Sequence, residues 1–259
     1  MSEFMDIIPS DNLSYKQKVL HLAQAAENSE HPIKTTAEFD RLFAAHALDD
    51  MCEGNAPYRP RYICPDYHVF AQNGSEFLRF DKPETLDDLL WGLAALYDNV
   101  PSVTSRPVYV GQLDKIIDPF LEGMTDAEIK PRLRRFLNHI DRTVASGYCH
   151  ANIGPEDTRA GRLLLEVDRE LMNAVPNFTL KYDPEVTSDE FMRLAVKTTM
   201  VCSNPAFANH RIHKETYPGE YTVVSCYNVL PMGGGAYTLS RVLLPGLAKL
   251  ATNVDDFMN

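Results

Sequence analysis

The chain has 259 residues, which suffices for one large domain or two small ones with a sizeable core. Its formal net charge of -11 argues against non-specific nucleic-acid binding, in which a basic surface provides most of the affinity, and equally against adsorption to an anionic membrane face. No apolar run approaches the roughly 20 residues of a membrane span. The acidic start, MSEFMDIIPSDN, lacks the basic and apolar regions of a signal peptide, so we expect a cytoplasmic protein.

The five cysteines are irregularly spaced and include no C-x-x-C pair. This pattern argues against a zinc ribbon and against a thioredoxin-like redox pair. In a reducing compartment we expect mostly free thiols. Cys149 and His150 are adjacent but have no second ligand pair nearby, so no metal site is expected.

Helical patterns dominate residues 1–100, which we assign to an N-terminal helical region. A polar-faced helix is predicted from Ser14 to Asn28. A capping-box pattern that starts at Thr35 predicts a second helix, which continues to Leu48 and carries His46 as a packed core histidine.

Residues 57–80 are rich in Pro, Tyr and Arg and predict a long irregular connection with short strands at best. Thr85 and Asp88 then form a capping-box pattern that opens the apolar helix LDDLLWGLAALYD. Its leucines recur at helical spacing and predict one buried stripe.

Residues 101–259 alternate between strand and helix patterns. The predicted strands and extended runs are Pro107–Gly111, Asn177–Tyr182, 205–212 and the YTVVS run from Tyr221. The predicted helices open after Thr125 (with a kink at Pro131), span Arg159 to Val175 and run from Ser188 to Met200. A last helix is predicted from about Leu239, but it contains Pro245 and is therefore either kinked or begins later. Strands separated by helices of this length predict an α/β fold with a largely parallel sheet or barrel.

The YTVVS run leads directly to Cys226, and three consecutive glycines, Gly233, Gly234 and Gly235, predict a flexible loop soon after it. In parallel α/β folds functional groups gather at the carboxyl ends of strands, where this pattern places Cys226. The residues alone leave two interpretations open: an inert buried thiol next to a turn, or a loop that presents a reactive sulfur.

Several polar residues near Cys226 are candidates for substrate binding or acid–base roles. His210 and His213 precede the cysteine on a segment predicted to be extended. The weaker candidates at the same rim are Asn209, Glu215 and Asn228. Asp114 is expected to hold the turn after the first strand by hydrogen bonding rather than to perform chemistry.

Three ordered blocks of this sequence resemble the glycyl-radical enzymes. PVYVGQLDKIIDPFLEGMTDAEIKPRLRRFLNHIDR is similar to their first barrel block, in which a strand ends in Gly-x-x-Asp. GRLLLEVDRELMNAVPNFTLKYDPEVTSDEFMRLAVKTTMVCSNPAFANHRI resembles the next block, and VVSCYNVLPMGGGAYTLSRVLLPGLAKLA resembles the cysteine loop with its Gly-rich segment. Within that superfamily the chain is most similar to the YjjI-type branch, over residues 106–251.

The resemblance implies a ten-stranded α/β barrel made of two half-barrels, of which residues 101–259 would form the N-terminal half with the cysteine loop. Cys226 would be the thiyl position that abstracts hydrogen from a small organic substrate. The unpaired electron would be stored on a glycine in a C-terminal segment, where a radical-SAM activase installs it. No cofactor would bind this chain directly, and its partners would be a complementary C-terminal half or the activase.

The sequence departs from the family pattern in three places. It contains no Arg-Val-x-Gly-Tyr-like stretch, so we expect an N-terminal fragment, a split gene product or a truncated frame that is inactive alone. Asn228 stands where dehydratase-type members have a glutamate base, and an amide cannot take a proton. Ser225 stands where the pyruvate formate-lyase branch has the first of two cysteines, which leaves an anaerobic ribonucleotide-reductase-like arrangement as the closest, although no ATP-binding cone is evident.

Two other functions remain open at this level. In the first, Cys226 is an ordinary nucleophile activated by His210 or His213, although no orienting acidic partner stands at diagnostic spacing. In the second, the half-barrel is a non-catalytic binding or assembly module, whose open sheet edge would demand a complementary chain.

Overall fold

The computed structural model describes residues 2–28, 34–50, 62–103, 109–143, 149–224, 227–236 and 240–258. The N-terminal part is mainly helical and contains α1 (Ser2–Ile7), α2 (Tyr15–Glu27), α3 (Ala37–Ala44), β1 (Leu48–Asp50), β2 (Tyr62–Cys64), α4 (Tyr67–Asn73) and α5 (Leu86–Val103). Strands and helices then alternate through β3 (Tyr109–Val110), α6 (Leu113–Ile117), a 3-10 turn (Asp118–Leu121), α7 (Asp126–Thr143), β4 (His150–Ile153), α8 (Arg159–Leu171), β5 (Asn177–Tyr182), α9 (Asp189–Cys202), β6 (Ala206–Asn209) and α10 (His210–Thr216). The C-terminal elements are β7 (Tyr221–Val223), β8 (Val229–Pro231), β9 (Gly234–Ala236), β10 (Ser240–Val242), α11 (Leu244–Leu250) and α12 (Val254–Met258).

The strands β3, β4, β5 and β6 form one parallel sheet in chain order. One face of this sheet packs on the helices between its strands, because Ala151, Ile153, Phe178 and Leu180 join a continuous apolar core with residues of α7, α8 and α9. The predicted α/β class with a parallel sheet is therefore confirmed. In the described part of the chain no helix is both long and apolar enough to cross a membrane.

Most of the predicted helix starts are confirmed by their caps. The Ser14 hydroxyl and the Gln17 side chain form a reciprocal capping box at α2. Thr85 and Asp88 form equivalent reciprocal bonds at the start of α5, and at the start of α7 the Glu128 carboxylate accepts from the Thr125 N–H and hydroxyl. Such caps satisfy amide groups that the first helical turn leaves unpaired, so local sequence suffices to specify them.

Three predictions for the N-terminal region are wrong. The cap of α3 is Thr36 rather than Thr35, and the helix ends at Ala44. His46 lies beyond the helix with a left-handed φ of +53°, and Leu48 begins a strand instead of ending a helix. The region 57–80 is not merely irregular, since it contains β2 and also α4, which is capped by Asp66.

The C-terminal segment also differs from its prediction. A loop and then a helix were expected, but β9 pairs antiparallel with β2, and β10 pairs antiparallel with β1. The last predicted helix begins at Leu244, which confirms the later start that Pro245 indicated, and this proline lies in the first turn, where it is tolerated. These pairings join strands about 170–190 residues apart in sequence, so no local pattern indicates them.

Asp114 connects two neighbouring crossovers of the sheet. Its fully buried carboxylate accepts hydrogen bonds of 3.0 Å from the Gly154 N–H and from the Thr158 hydroxyl, which also caps α8. The predicted hydrogen-bonding role is thus found in part: Asp114 accepts hydrogen bonds, but both come from the segment between β4 and α8 and not from the turn after the first strand. Burial opposes the charged form and raises the pKa of this carboxyl to about 6.

We expect Asp114→Asn to flatten the pH dependence of stability. Because the folded-state pKa is raised from 3.8, the folded state binds this proton more tightly than the unfolded chain. The contribution of this group to the free energy of unfolding is therefore largest below pH 4 and declines as the pH rises to about 6. The full difference is about 3 kcal/mol. Denaturant unfolding between pH 4 and 8 measures it.

The control for this experiment is Asp114→Ala, which removes the charge together with both hydrogen bonds. It should flatten the same pH dependence but lower the free energy of unfolding at every pH. An Asp114→Asn protein with the same pH slope as the parent would contradict the assignment.

Candidate functional site at the inner face of the sheet

The face of the parallel sheet opposite the helices is polar although it is buried. Side chains alternate along a strand, so the residues between the core positions point to this inner face. They include His150 and Asn152 of β4 and Thr179 and Lys181 of β5, all less than a tenth exposed. Burial of polar groups costs free energy unless they are hydrogen-bonded, so this face requires a polar cover.

The cover is a hairpin of β7 and β8, here named the inner hairpin. The Val224 N–H donates to the Asn228 carbonyl at 2.9 Å, and the Tyr227 N–H donates to the Val224 carbonyl at 2.8 Å. Ser225 and Cys226 lie between these residues in sequence and outside the described part of the chain. β7 pairs with β8 and not with the described parallel sheet, so the expectation that Cys226 follows a strand of that sheet at its carboxyl end is wrong.

The inner hairpin runs against the direction of the sheet. Tyr221 contacts Lys181, whereas Val223 contacts Asn152, which lies in register with Thr179. Residue numbers therefore rise along β7 in the direction in which they fall along β5, so the two strands are antiparallel. Consistently, Val224 packs with Tyr109 and Cys64. The end of β7 thus points towards the amino ends of the parallel strands.

Lys181 is a buried cation beneath the start of the inner hairpin, with 1% of its surface exposed. Its Nζ donates to the Tyr221 carbonyl at 2.5 Å and lies 4.3 Å from the centroid of the Tyr221 ring, a cation–π distance. Burial disfavours the ammonium form and lowers the pKa of Lys181 to about 8.

Two histidines surround the same tyrosine. The Nδ1 of His210 lies 2.7 Å from the Tyr221 hydroxyl, and the ring of His213 lies 5.7 Å from the Tyr221 ring. Burial first, and then the Lys181 charge, lower the pKa of both histidines. Burial also raises the pKa of the Tyr221 phenol. The neutral imidazoles can accept hydrogen bonds or protons at neutral pH.

The predicted candidates are only partly brought together. His210 and His213 meet at Tyr221, but on helix α10 rather than on the extended segment that was expected, because residues three apart share a helix face. Asn209 caps that helix by accepting from the Ile212 N–H at 3.2 Å. Glu215 and Asn228 are exposed.

The three glycines do not form one flexible loop. Gly233 has a left-handed φ of +77°, which favours glycine in its turn. Gly234 and Gly235 belong to β9 and pair with Cys64 and Ile63 of β2.

Sequence reasoning missed Asn152, Lys181 and Tyr221. The available signal was the alternation of polar and apolar residues in HANI and NFTLKY, which places Asn152 and Lys181 on the polar faces of their strands. It also missed the link from Glu220 at the root of the inner hairpin to Gln112, whose Oε1 lies 2.8 Å from His68 Nε2.

A close approach of β3 to the inner hairpin generates a stability prediction. A Cβ on Gly111 would lie 3.0 Å from the Met232 sulfur and 3.1 Å from the Thr222 Cβ. We expect Gly111→Val to lower the free energy of unfolding by about 1–3 kcal/mol, since overpacking forces neighbours to move. Gly219→Ala has no atom within 4 Å of its new Cβ and should be nearly neutral in the same denaturant unfolding experiment. Equal stability of the two variants would contradict the contact.

Comparisons with known proteins agree with this architecture. A family model described as "Glycyl radical enzyme YjjI-like" matches residues 13–259. An "Uncharacterized protein" of Haemophilus influenzae is 44% identical over 262 residues, which cover 100% of this chain and 51% of the relative. The Escherichia coli K12 protein YjjI is 44% identical over 252 residues, which cover 97% of this chain and 49% of YjjI. The chain therefore spans about half the length of these curated relatives.

Solved structures show the same fold at low sequence identity. The anaerobic ribonucleotide reductase from Thermotoga maritima with dATP in its specificity site gives a TM-score of 0.62 at 12% identity, over 85% of this chain and 46% of that one. The same reductase with citrate in its active site gives 0.60 at 13% identity, over 85% and 48%. Taken with the family match over nearly its whole length, the chain belongs to the YjjI-like family of glycyl radical enzymes.

Proposed function

We propose that this chain is the cysteine-bearing part of a radical enzyme, in which a thiyl radical at Cys226 abstracts a hydrogen atom from a small organic substrate. Family membership supports this function, and one structural observation carries it. Cys226 follows β7 by three residues, and β7 lies on the buried polar face of a parallel sheet. Tyr221, Val223 and Val224 before the cysteine are almost fully buried, whereas Tyr227 and Asn228 after it are exposed. A thiyl radical needs a water-poor environment to avoid side reactions, so in this proposal the complementary segment covers the exposed side.

Each proposed step transfers one hydrogen atom. A glycyl radical on a segment that this sequence lacks takes the hydrogen of the Cys226 S–H group, which leaves glycine and a thiyl radical. The thiyl radical then takes a hydrogen atom from a substrate C–H bond, which re-forms the thiol and leaves a carbon radical. A radical-SAM activase would generate the initial glycyl radical. The chain's partners in this proposal are the complementary segment and that activase.

The side chains around the inner hairpin narrow the reaction class. Asn228 has no proton-accepting group, so a dehydration that depends on a base two residues after the cysteine is disfavoured. We assign substrate contacts to the neutral imidazoles of His210 and His213 at the root of the inner hairpin. Asn209, which caps their helix, positions them in this proposal.

The rival nucleophilic function makes a different demand on the same histidines. A base for Cys226 needs a free nitrogen within hydrogen-bond reach of the sulfur. His210 Nδ1 lies 2.7 Å from the Tyr221 hydroxyl, so the nucleophilic function would have to use His210 Nε2 or His213. The rate of Cys226 alkylation as a function of pH distinguishes the two functions, because only an activated nucleophile reacts rapidly near neutral pH.

We expect Cys226→Ala to abolish exchange of the radical with solvent. The chain is co-produced with the portion of the Haemophilus relative that has no counterpart here and is treated with an activase. In D2O the thiol becomes S–D, and reversible atom transfer then places deuterium on the radical glycine. The EPR doublet from its single α-hydrogen should collapse towards a singlet. In Cys226→Ala the doublet should persist, since no thiol returns the deuterium.

Cys202→Ser is the matched control, because Cys202 is half-buried at the end of α9 and lies outside the inner face. It should behave as the parent. Collapse of the doublet in Cys226→Ala would refute the thiyl role. A stable complex with the complementary portion that never forms a radical would support the assembly function instead.

A further inference from the structure

β7 has a backbone edge that no described strand covers. Two bonds show which backbone groups face β8. The Glu220 carbonyl accepts from the Met232 N–H, and the Val224 N–H donates to the Asn228 carbonyl. Backbone groups alternate in direction along a strand, so those of Tyr221 and Val223 point the opposite way. Both residues are buried, and buried backbone groups require partners.

Asn152 provides the partners of Val223. Its Oδ1 accepts the Val223 N–H at 2.6 Å, and its Nδ2 donates to the Val223 carbonyl at 2.9 Å. A side-chain amide carries the same donor and acceptor pair as a peptide group, so Asn152 replaces one residue of a neighbouring strand. Its Oδ1 also accepts from the Thr222 hydroxyl at 3.1 Å.

Lys181 provides a partner for the Tyr221 carbonyl only, because an ammonium group donates hydrogen bonds and cannot accept them. Its long side chain rises from β5, and its Nζ reaches the Tyr221 carbonyl while it packs on the ring of the same residue. Two side chains from adjacent parallel strands therefore bind three of the four backbone groups that Tyr221 and Val223 direct away from β8. Thr179 lies between them on the inner face, in register with Asn152, and has no bond to the inner hairpin among the described contacts.

We propose that Asn152 and Lys181 are positioning residues that hold β7 in register over the sheet and thereby fix where the chain enters the Cys226 turn. The importance of this positioning for catalysis rests on the proposed function, whereas the experiments that test it do not. The turn starts one residue after Val223, so a slip of β7 by one residue would move the cysteine by about 3.3 Å and reverse the faces of its side chains. A hydrogen-atom transfer requires closer control than that.

The test is hydrogen exchange of the segment 221–231 in the whole chain, followed by mass spectrometry. We expect Asn152→Leu and Lys181→Met to accelerate exchange of this segment about tenfold, the effect of losing a buried hydrogen bond. Segments in α7 and α8 should not change. Lys181→Gln keeps an N–H donor and should recover part of the protection, and Thr179→Val is the matched inner-face control that should leave exchange unchanged.

A second measurement separates positioning from general stability. The alkylation rate of Cys226 should change in Asn152→Leu and Lys181→Met while that of Cys202 stays constant. If Asn152→Leu does not fold, Asn152→Asp replaces it, since the carboxylate keeps the acceptor and loses the donor to the Val223 carbonyl. Unchanged exchange in 221–231, or equal acceleration in every segment, would overturn the proposal. Neither measurement uses the radical, so a failed radical assay would leave this result standing.

Discussion

The constraint on which the site depends is the hydrogen-bonding requirement of β7, a buried strand that pairs with another strand on one side only in the described part of the chain. Tyr221 and Val223 lie over the sheet with at most 1% of their surface exposed, so water cannot satisfy their backbone groups. Asn152 from β4 binds both backbone groups of Val223, and Lys181 from β5 binds the Tyr221 carbonyl. This arrangement explains why a buried sheet face carries an amide and an ammonium group where apolar side chains would pack at lower cost.

The two faces of the sheet consequently contribute differently to stability. The outer face is apolar and buries Ala151, Ile153, Phe178 and Leu180 against the helices. The inner face offsets the desolvation of its polar groups with hydrogen bonds, and burial lowers the pKa of Lys181. The continuous apolar core therefore lies on the helical side, and the polar groups suited to a site lie on the inner face.

How much the sequence predicts follows from the range of each interaction. The caps at Ser14, Thr85 and Thr125 involve residues three apart, and the alternation of strands and helices is also local, so the helix starts and the α/β class could be predicted. β9 and β10 could not, because their partners β2 and β1 lie in the other half of the chain. The placement of β7 could not be predicted for a related reason. The sequence of a strand that leads to a cysteine is the same whether the strand extends a sheet or crosses its inner face.

The N-terminal region takes part in the site through these same long-range pairings. Cys64 of β2 packs with Val224 at the end of β7, and its carbonyl accepts the Gly233 N–H at 2.7 Å. Gly234 pairs with Cys64, so the segment after the inner hairpin is held by a strand from the N-terminal part. At the root, His68 of α4 reaches Glu220 through Gln112. The inner hairpin is therefore held by the sheet beneath it and by the N-terminal region at its root and beside its turn, so its position depends on both parts of the chain.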